Sequence, residues 1–276
     1  MNTRGLPRLE IVPLRRLILH EDVEEHRVAR IVERLGSERT LRNPPIVGRN
    51  PQELRLIVLD GASRVSAARR MGFPHLLVQV VPYPSAAIGL DRWHHLVAGM
   101  SLDGLCERAS GIEGVALEGA SWRSASRALE TRRILACFRS PGKKTVVLRG
   151  TPPGKLHPIR ELVRLYATDP GLHRVREDQL RLPGEWLGED HVFVLFPRFR
   201  QEDIVRFALR LEERLPMGIT RHTVPNRALR VHYPVSRLRA RRPLGEKRRH
   251  LEAFLEERWQ EGRIRHYPEA TTLYDE

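Results

Sequence analysis

The chain has 276 residues, 41% hydrophobic and 30% charged, which is ordinary for a water-soluble globular protein of one large or two modest domains. No run of about eighteen apolar residues occurs, so we exclude a transmembrane helix, and the N-terminal sequence lacks the apolar stretch of a secretory signal. A cytoplasmic protein with no membrane partner is the expectation. Cys106 and Cys137 form no CxxC pair, which argues against a disulfide framework or a cysteine zinc site.

The formal net charge of +14 is compatible with two kinds of partner, a nucleic acid or a phosphate-bearing small molecule. Arginines are interspersed with acidic residues in stretches such as 24–27 and 256–258, a pattern typical of solvated helix faces. Net charge alone therefore does not decide between these partners.

The first eighty residues alternate between predicted strands and helices. Short apolar runs bounded by turn residues predict strands over 10–13, 45–48, 54–59 and 76–81, and residues 16–19 are interpreted as an apolar lead-in to the first helix. An apolar stripe at helical spacing predicts the first helix, which Gly36 is expected to end, and its members are Val28, Ile31, Val32 and Leu35.

The link around residue 60 is the clearest architectural signal. A predicted strand ends at Asp60-Gly61, Ser63 opens a helix, and Gly72 is placed to cap that helix in the left-handed conformation. The first backbone N–H groups of such a helix have no intrahelical acceptor and lie at the positive end of its dipole. This end of the helix is therefore suited to bind an anion.

Each residue of this link is suited to a particular role in binding a phosphate. Gly61 would allow close approach, Ser63 would donate a hydroxyl hydrogen bond, and Arg64 would neutralise charge. Asp60 would face a metal ion or an acceptor hydroxyl. The alternative is an ordinary strand–helix link in which Ser63 or Asp60 only caps the helix, and the motif DGxxR alone is compatible with that.

The rest of the chain predicts a mixture of helices and strands. Residues 85–140 are predicted to be mostly helical, and adjacent histidines on a helix, such as His94 and His95, would point in different directions and bind no common metal ion. Strands are predicted over 145–148 and 192–196, helices over 159–167, 201–214 and 245–262, and two paired strands over 219–224 and 228–233.

Three stretches, RNPPIVGRN, LIVLDGASRVSAARRMGF and PHLLVQVVPY, follow one another at compatible spacing. Together they resemble the ParB/sulfiredoxin superfamily, and the resemblance covers about residues 10–83. It implies a mixed α+β (α/β) fold, with a ParB/sulfiredoxin-like nucleotide-phosphate-binding domain over residues 1–84. A larger mixed α/β domain over 85–276 would contribute to the substrate site.

Within that superfamily the chain is similar to the free L-serine kinases, which carry a His-Glu pair before the first helix and a GxTRH/F stretch near the C-terminus. Here these are His20-Glu21 and Gly218-Ile219-Thr220-Arg221-His222, with Trp93 and His95 between them. The resemblance implies a phosphotransferase that uses ATP or ADP and Mg²⁺ to convert L-serine into O-phospho-L-serine. No metal-ligand cluster is assigned.

The same resemblance implies a role for each matching position. Glu21 would take the proton of the serine hydroxyl, and Asp60 would assist the metal ion or the hydroxyl. The nucleotide-phosphate loop would be Gly61, Ala62, Ser63 and Arg64, and the substrate site would include Trp93, Thr220, Arg221 and His222. Ser63 stands where the family loop has histidine, and a serine donates to a phosphate oxygen without carrying a charge.

Two other functions remain open from the sequence. A ParB-like DNA-binding regulator or partitioning-type protein would account for the positive charge, although no clear helix-turn-helix follows residue 83. A nuclease has only the superfamily connection to support it.

Overall fold

A computed structural model describes residues 5–150, 156–168, 171–181, 190–210 and 214–267. Contacts within the chain divide it into two compact units. The first unit comprises residues up to 19, residues 23–88 and residues from 224 onward, and the second comprises residues 20–22 and 89–223. The predicted mixed α+β fold is confirmed.

Strands and helices alternate along the chain. The strands are β1 (Leu9–Pro13), β2 (Leu17–Leu19), β3 (Thr40–Leu41), β4 (Ile46–Arg49), β5 (Leu56–Asp60), β6 (His75–Pro82), β7 (Gly89–Arg92), β8 (His94–Ala98), β9 (Val115–Gly119), β10 (Ala136–Arg139), β11 (Thr145–Gly150), β12 (Leu172–Val175), β13 (His191–Leu195), β14 (Thr220–Thr223) and β15 (Tyr233–Pro234). The helices are α1 (Glu25–Ser37), α2 (Ala62–Arg70), α3 (Leu102–Ser110), α4 (Trp122–Glu130), α5 (His157–Arg164), α6 (Gln201–Leu209), α7 (Val235–Arg239) and α8 (Leu244–Gln260).

The first unit is built on a five-stranded mixed sheet in the order β1-β6-β4-β5-β2. The central strand β4 pairs antiparallel with β5 and parallel with β6. Ile46 at the start of β4 lies opposite Asp60 at the end of β5. This register brings the Pro44-Pro45 turn close to the strand end at which α2 begins.

Helix α1 buries the apolar stripe that the sequence predicts, with Val28 and Leu35 buried and Ile31 and Val32 packed against the same core. The prediction that Gly36 ends this helix is wrong, because α1 continues to Ser37. The chain instead leaves the helix through Arg39, whose φ of 57° is left-handed. Helix propensity and tertiary packing therefore outweigh the entropic cost of one glycine in the last turn.

The C-terminal part of the first unit packs beside its N-terminal strands. Helix α8 contacts β1, and β15 pairs antiparallel with β3. The predicted pairing of residues 219–224 with 228–233 is wrong, because β14 pairs with β7 and residues 226–232 are irregular. Three non-glycine residues of that stretch have positive φ angles that no strand accommodates, namely Asn226, Arg230 and His232.

The second unit is built on a six-stranded antiparallel sheet in the order β12-β8-β13-β10-β11-β9. The prediction that residues 85–140 are mostly helical is wrong, because this stretch contains β7 to β10 and only two helices. The first four residues of β8 are all buried, so the strand shows no alternation of polar and apolar residues. Such a run cannot be told from a buried helix by periodicity.

Within the described ranges, no helix combines the length and the apolar composition that a bilayer crossing requires. The two predicted domains, 1–84 and 85–276, stay a prediction. The contacts group the chain differently, since residues from 224 onward belong to the first unit and residues 20–22 belong to the second.

Candidate functional site

The turn between β5 and α2 has the geometry of an open helix N-terminus. Gly61 lies at the N-cap with φ 90°, and no side chain caps the helix. The alternative in which Ser63 or Asp60 serves as a helix cap is therefore wrong. Ser63 is half-buried in the first turn, where the backbone N–H groups of residues 62–64 have no intrahelical acceptor. These donors are the group that an anion would meet at the end of β5.

Replacing Gly61 by alanine is expected to destabilise this turn. A Cβ atom there would lie 3.0 Å from Cβ of Pro45 and 3.0 Å from Nε of Arg64, in addition to the left-handed φ. We expect the free energy of unfolding to fall by about 2 kcal/mol, measured by urea denaturation. Gly72→Ala is the matched control, because Gly72 has φ 70° and no atom within 4 Å of the added Cβ. An equal loss in both variants would contradict a specific close approach at Gly61.

Arg64 points back toward the turn rather than outward. Its Nη1 atom donates to the carbonyl oxygens of Asn43 at 2.6 Å and Pro44 at 3.4 Å, and its Nη2 atom donates to Oδ2 of Asp60 at 3.3 Å. Arg227 donates to the same carboxylate oxygen. Asp60 is thus held between two guanidinium groups, one from α2 and one from the irregular segment 226–232.

Burial alone would raise the pKa of Asp60, but the charges of Arg64 and Arg227 and the hydrogen bond from Arg227 hold it below its ordinary value. Asp60 is therefore a carboxylate at neutral pH. Because two cations face one anion, this cluster keeps a net positive charge that favours a further anion.

A cavity of about 660 Å³ opens beside Asp60, and we call it the arginine groove. Asp60 and Glu38 supply its acidic groups. Four apolar side chains, Ile31, Leu35, Leu41 and Leu229, complete one side of it. Its cationic groups are Arg27, Arg30, Arg34, Arg42, Arg64 and Arg227. The groove thus combines an apolar surface with an excess of guanidinium groups, which suits an anionic ligand that carries an apolar body.

Glu21 lies in the second unit, in a segment that pairs with the chain around residue 215. Its Oε2 atom accepts the backbone N–H of Gly218 at 3.2 Å. Its Oε1 atom accepts both the backbone N–H of Thr220 at 2.6 Å and the hydroxyl of Thr220 at 2.5 Å. An ionised carboxylate offers about four acceptor positions, so three donors leave about one for a further hydroxyl group.

The hydroxyl of Thr220 fixes the orientation of His20. Because this hydroxyl gives its only hydrogen to Glu21, it must accept from Nε2 of His20, which lies 2.8 Å away. His20 is buried, with its ring edge against His222 at a centroid distance of 5.4 Å. His20, Glu21 and Thr220 are thus joined by hydrogen bonds, and His222 packs against His20; we call these four residues the Glu21 cluster.

His95 supports the Glu21 cluster from inside the unit. Its Nε2 atom lies 3.1 Å from the carbonyl oxygen of Gly218, which can only accept, so Nε2 carries the proton. Its Nδ1 atom, 3.0 Å from the hydroxyl of Tyr166, then accepts from that hydroxyl. Gly218 is therefore held through its carbonyl oxygen by His95 and through its N–H by Glu21.

Both adjacent histidines are buried on strand β8, not on a helix as predicted. Burial lowers the pKa of His95 to about 4, and the charge of Arg174 acts in the same direction. Burial also lowers the pKa of His94 to about 3, with Arg92 and Arg198 nearby. His94 accepts the backbone N–H of Phe196 at 3.2 Å through Nδ1, as a neutral ring can. These histidines are structural and neutral.

The buried neutral histidines predict that acid destabilises the protein. In the unfolded chain each takes a proton near pH 6.5, whereas in the folded chain neither does above about pH 4, so the unfolded state binds more protons below pH 6.5. We expect the free energy of unfolding to fall by about 3 kcal/mol from pH 6.5 to pH 5. Urea denaturation at each pH checks this, and His94→Gln should remove about half of the dependence. A flat profile in both proteins would contradict neutral burial.

Trp93 and Arg221 lie beside the Glu21 cluster. The backbone N–H of Trp93 donates to the carbonyl of Ile219 at 2.8 Å, and the guanidinium of Arg221 lies 5.4 Å from the Trp93 ring centroid. Arg221 also faces Asp91 at 3.9 Å. Its side chain is 33% exposed, so it can bind a carboxylate or a phosphate.

A Mg²⁺ ion at Asp60 would have to compete with Arg64 and Arg227 for the carboxylate. Mg²⁺ retains several waters and is held by one or two carboxylates together with substrate phosphates. Among the residues that the structure describes, no group of three or more His, Cys, Asp or Glu side chains could hold a metal ion. That a nucleotide-borne Mg²⁺ ion meets Asp60 stays a prediction.

No protein-family model and no curated protein matches the sequence. Solved structures do match the fold. SbnI with a C-terminal truncation from Staphylococcus aureus is 18% identical, with a TM-score of 0.75 over 91% of this chain and 97% of that chain. A free serine kinase in complex with AMP is 17% identical, with a TM-score of 0.71 over 85% and 95%. A conserved hypothetical protein from Pyrococcus furiosus is 15% identical, with a TM-score of 0.70 over 85% and 98%.

These likenesses show that the chain has the fold of a group of proteins that includes nucleotide-bound kinases. The fold places Asp60, Gly61, Ala62, Ser63 and Arg64 in one turn. It brings Glu21 to Thr220 within the second unit.

Sequence reasoning missed two residues that the structure adds, Arg227 and Tyr166, and the contact made by a third. Arg227 follows a Pro-Asn turn and belongs to no recognisable motif. Tyr166 lies near the end of a predicted helix, where an aromatic residue is expected for packing alone. His95 was named beside Trp93 in the family resemblance, but its contact with Gly218 was not predicted. Each acts through a partner far away in sequence, which no local pattern reveals.

Proposed function

We propose that the protein is a free L-serine kinase that transfers a phosphoryl group from ATP or ADP to L-serine. The observation that carries this proposal is the hydrogen bonding of Glu21, whose carboxylate is held by Gly218 and Thr220 and keeps about one acceptor position for a hydroxyl group. A carboxylate in that state can orient an alcohol and take its proton. The likeness in fold to a free serine kinase with AMP supports the same choice.

In this proposal the first unit binds the nucleotide. Its phosphates accept hydrogen bonds from the first turn of α2 and are neutralised by the guanidinium groups of the arginine groove. The base packs on the apolar side of the groove, next to Leu35 and Leu41. Ser63 donates its hydroxyl to a phosphate oxygen. AMP and ADP are bound by structural neighbours, which supports a nucleotide ligand.

The second unit binds the amino acid. Arg221 pairs with its carboxylate or, after transfer, with the new phosphate, since its guanidinium is only loosely engaged with Asp91. Trp93 forms an apolar wall beside Arg221, and His222 completes the polar surface next to His20. Thr220 holds Glu21 in position rather than contacting the substrate.

The chemistry is a displacement at phosphorus. Glu21 takes the proton of the serine hydroxyl group. The serine hydroxyl oxygen forms a bond to the terminal phosphorus atom of the nucleotide, and the bond between that phosphorus atom and the bridging oxygen breaks. The nucleotide leaves as ADP from ATP, or as AMP from ADP. Asp60 would hold Mg²⁺, which when bound neutralises charge on the phosphate oxygens. Positioning and charge stabilisation account for most of the acceleration in such reactions.

The proposal is tested by incubating purified protein with L-serine, Mg²⁺ and either nucleotide, and by measuring O-phosphoserine with mass spectrometry. Parallel reactions contain L-threonine, L-homoserine or no amino acid. We expect phosphoserine with one or both nucleotides and none without Mg²⁺. Absence of phosphoserine with both nucleotides, in protein with a cooperative melting transition, would remove the assignment.

A DNA-binding regulator is the second candidate, and one observation favours it. Arg27, Arg30 and Arg34 are exposed along one side of α1, at the spacing of a helix face. Such a row can contact successive phosphates of a duplex. Binding to duplex DNA at physiological salt, with an affinity that falls steeply as salt is raised, would support this candidate over the kinase if no phosphoserine forms.

A further inference from the structure

The first unit contains another cavity, of about 490 Å³, which we call the C-terminal cavity. Residues from both ends of the unit line it, including Leu6 and Leu9 near the start and Leu255 and Ile264 in and after α8. Leu9 and Leu255 also pack against the main core, so the apolar floor of this cavity is continuous with that core. A volume of this size is within the range of small-molecule sites.

The charged groups around this apolar floor are all basic. Among its lining residues, which all lie in described parts of the chain, there is no aspartate or glutamate. Arg258 and Arg265 line the cavity without an ion-pair partner among the described residues, and Arg258 lies 4.3 Å from the ring centroid of Phe254. Three other lining arginines are paired with acids outside the cavity lining, namely Arg8, Arg227 and Arg263. Arg258 and Arg265 thus place uncompensated positive charge beside an apolar floor, and a bound anion would neutralise that charge.

The wall that separates this cavity from the arginine groove is segment 226–231, because Arg227 and Leu229 line both. The side chain of Gln79 holds this wall through the carbonyl of Asn226 at 3.1 Å and the N–H of Ala228 at 2.8 Å. Asn226 and Arg230 have left-handed φ angles, a conformation that costs free energy in non-glycine residues and is concentrated at functional sites. The wall is therefore held in one shape before any ligand binds.

We propose that the C-terminal cavity is a second ligand site, for a small amphipathic anion with an apolar body and one carboxylate or sulfonate group. The apolar body packs on Leu9, Leu255 and Ile264, and the anion pairs with Arg258 and Arg265. The site is distinct from the arginine groove, which takes phosphates at the end of β5. It does not depend on whether the protein is a kinase.

The proposal is tested with anilinonaphthalene sulfonate, a fluorescent probe that combines an aromatic body with one anionic group. The protein is titrated with the probe as wild type and as Arg258→Gln/Arg265→Gln. The matched control, Arg239→Gln/Arg241→Gln, removes the same charge from exposed positions of the same unit. We expect the cavity variant to bind about tenfold or more weakly and the control to bind within about twofold of wild type, with unchanged melting temperatures.

A third variant and a competitor locate the probe. Ile264→Glu places a negative charge at a half-buried position of the cavity. It should reduce probe binding by at least as much as Arg258→Gln/Arg265→Gln does. Saturating ATP should leave the probe bound. As ATP is raised, the dissociation constant of the probe should stay constant or reach a plateau. Equal binding by the cavity variant and the control, or a dissociation constant that rises in proportion to ATP, would overturn the proposal.

Discussion

Glu21→Gln is expected to reduce turnover by about a thousandfold while nucleotide affinity changes by less than about threefold. The amide retains nearly the same shape but cannot take a proton. It also presents an N–H₂ group where Glu21 accepts from Gly218 or Thr220, so one of those hydrogen bonds is lost. Steady-state rates of phosphoserine formation and calorimetric titration with nucleotide measure the two effects separately.

Asp22→Asn is the matched control for this change. Asp22 is the neighbouring acid and pairs with Arg160 at 3.2 Å, away from Thr220. It should keep turnover within about threefold of wild type, since exposed ion pairs contribute little. If Glu21→Gln instead lost nucleotide affinity in step with turnover, Glu21 would be a nucleotide ligand and not the base.

Asp60→Asn is expected to change turnover and nucleotide affinity in opposite directions. The carboxylate lies between Arg64 and Arg227, so its removal leaves two guanidinium groups without their counter-ion. Nucleotide measured in the presence of a chelator should then bind a few times more tightly, because the groove becomes more positive. Turnover with Mg²⁺ should fall by about a hundredfold or more, because the group proposed to hold the ion is gone.

Glu38→Gln tests whether the loss of one negative charge from the arginine groove is enough to lower turnover. Glu38 is exposed, lines the groove and pairs with Arg34 at 3.5 Å, so its removal changes the groove by the same unit of charge. We expect tighter nucleotide binding with turnover preserved. Preserved turnover in Asp60→Asn as well would mean that Asp60 only orders the two arginines.

The sequence predicted the turn at residue 60 because every part of that turn is local. A strand, a glycine with left-handed φ and a helix start follow one another within a few residues, and Gly72 closes α2 with φ 70° as predicted. Four of the five strands of the first sheet were found for the same reason, since short apolar runs between turn residues carry their own signal, whereas β2 was interpreted only as an apolar lead-in. The mixed fold class was implied by the family resemblance that the motifs in these elements carry.

The partners of Asp60 and Glu21 could not be found in this way. Arg227 is 167 residues from Asp60, and Thr220 is 199 residues from Glu21. The resemblance to known kinases named both Glu21 and the stretch at 220, but only the fold explains how they meet: residues 20–22 run beside residue 215, and β14 pairs with β7. His95 was misjudged because β8 is buried on both faces and lacks alternation.

Arg64 has a structural role in addition to the role that its motif predicts. The sequence assigns it to phosphate neutralisation, whereas its guanidinium also fastens α2 to the carbonyl groups of Asn43 and Pro44. A lysine could supply the charge but has no planar fork to span two carbonyls and a carboxylate. Arginine is required there by geometry as well as by charge.

The separation between Glu21 and its hydrogen-bond donors also affects how the protein is made. During synthesis, residues 20–22 leave the ribosome long before the segment that contains Gly218 and Thr220, so Glu21 stays exposed to water until nearly two hundred later residues have been added. Strand β1 likewise cannot form its contacts with α8 until that helix has been synthesised. Closing such long loops is slow, so activity should appear only late in refolding, after most secondary structure has formed.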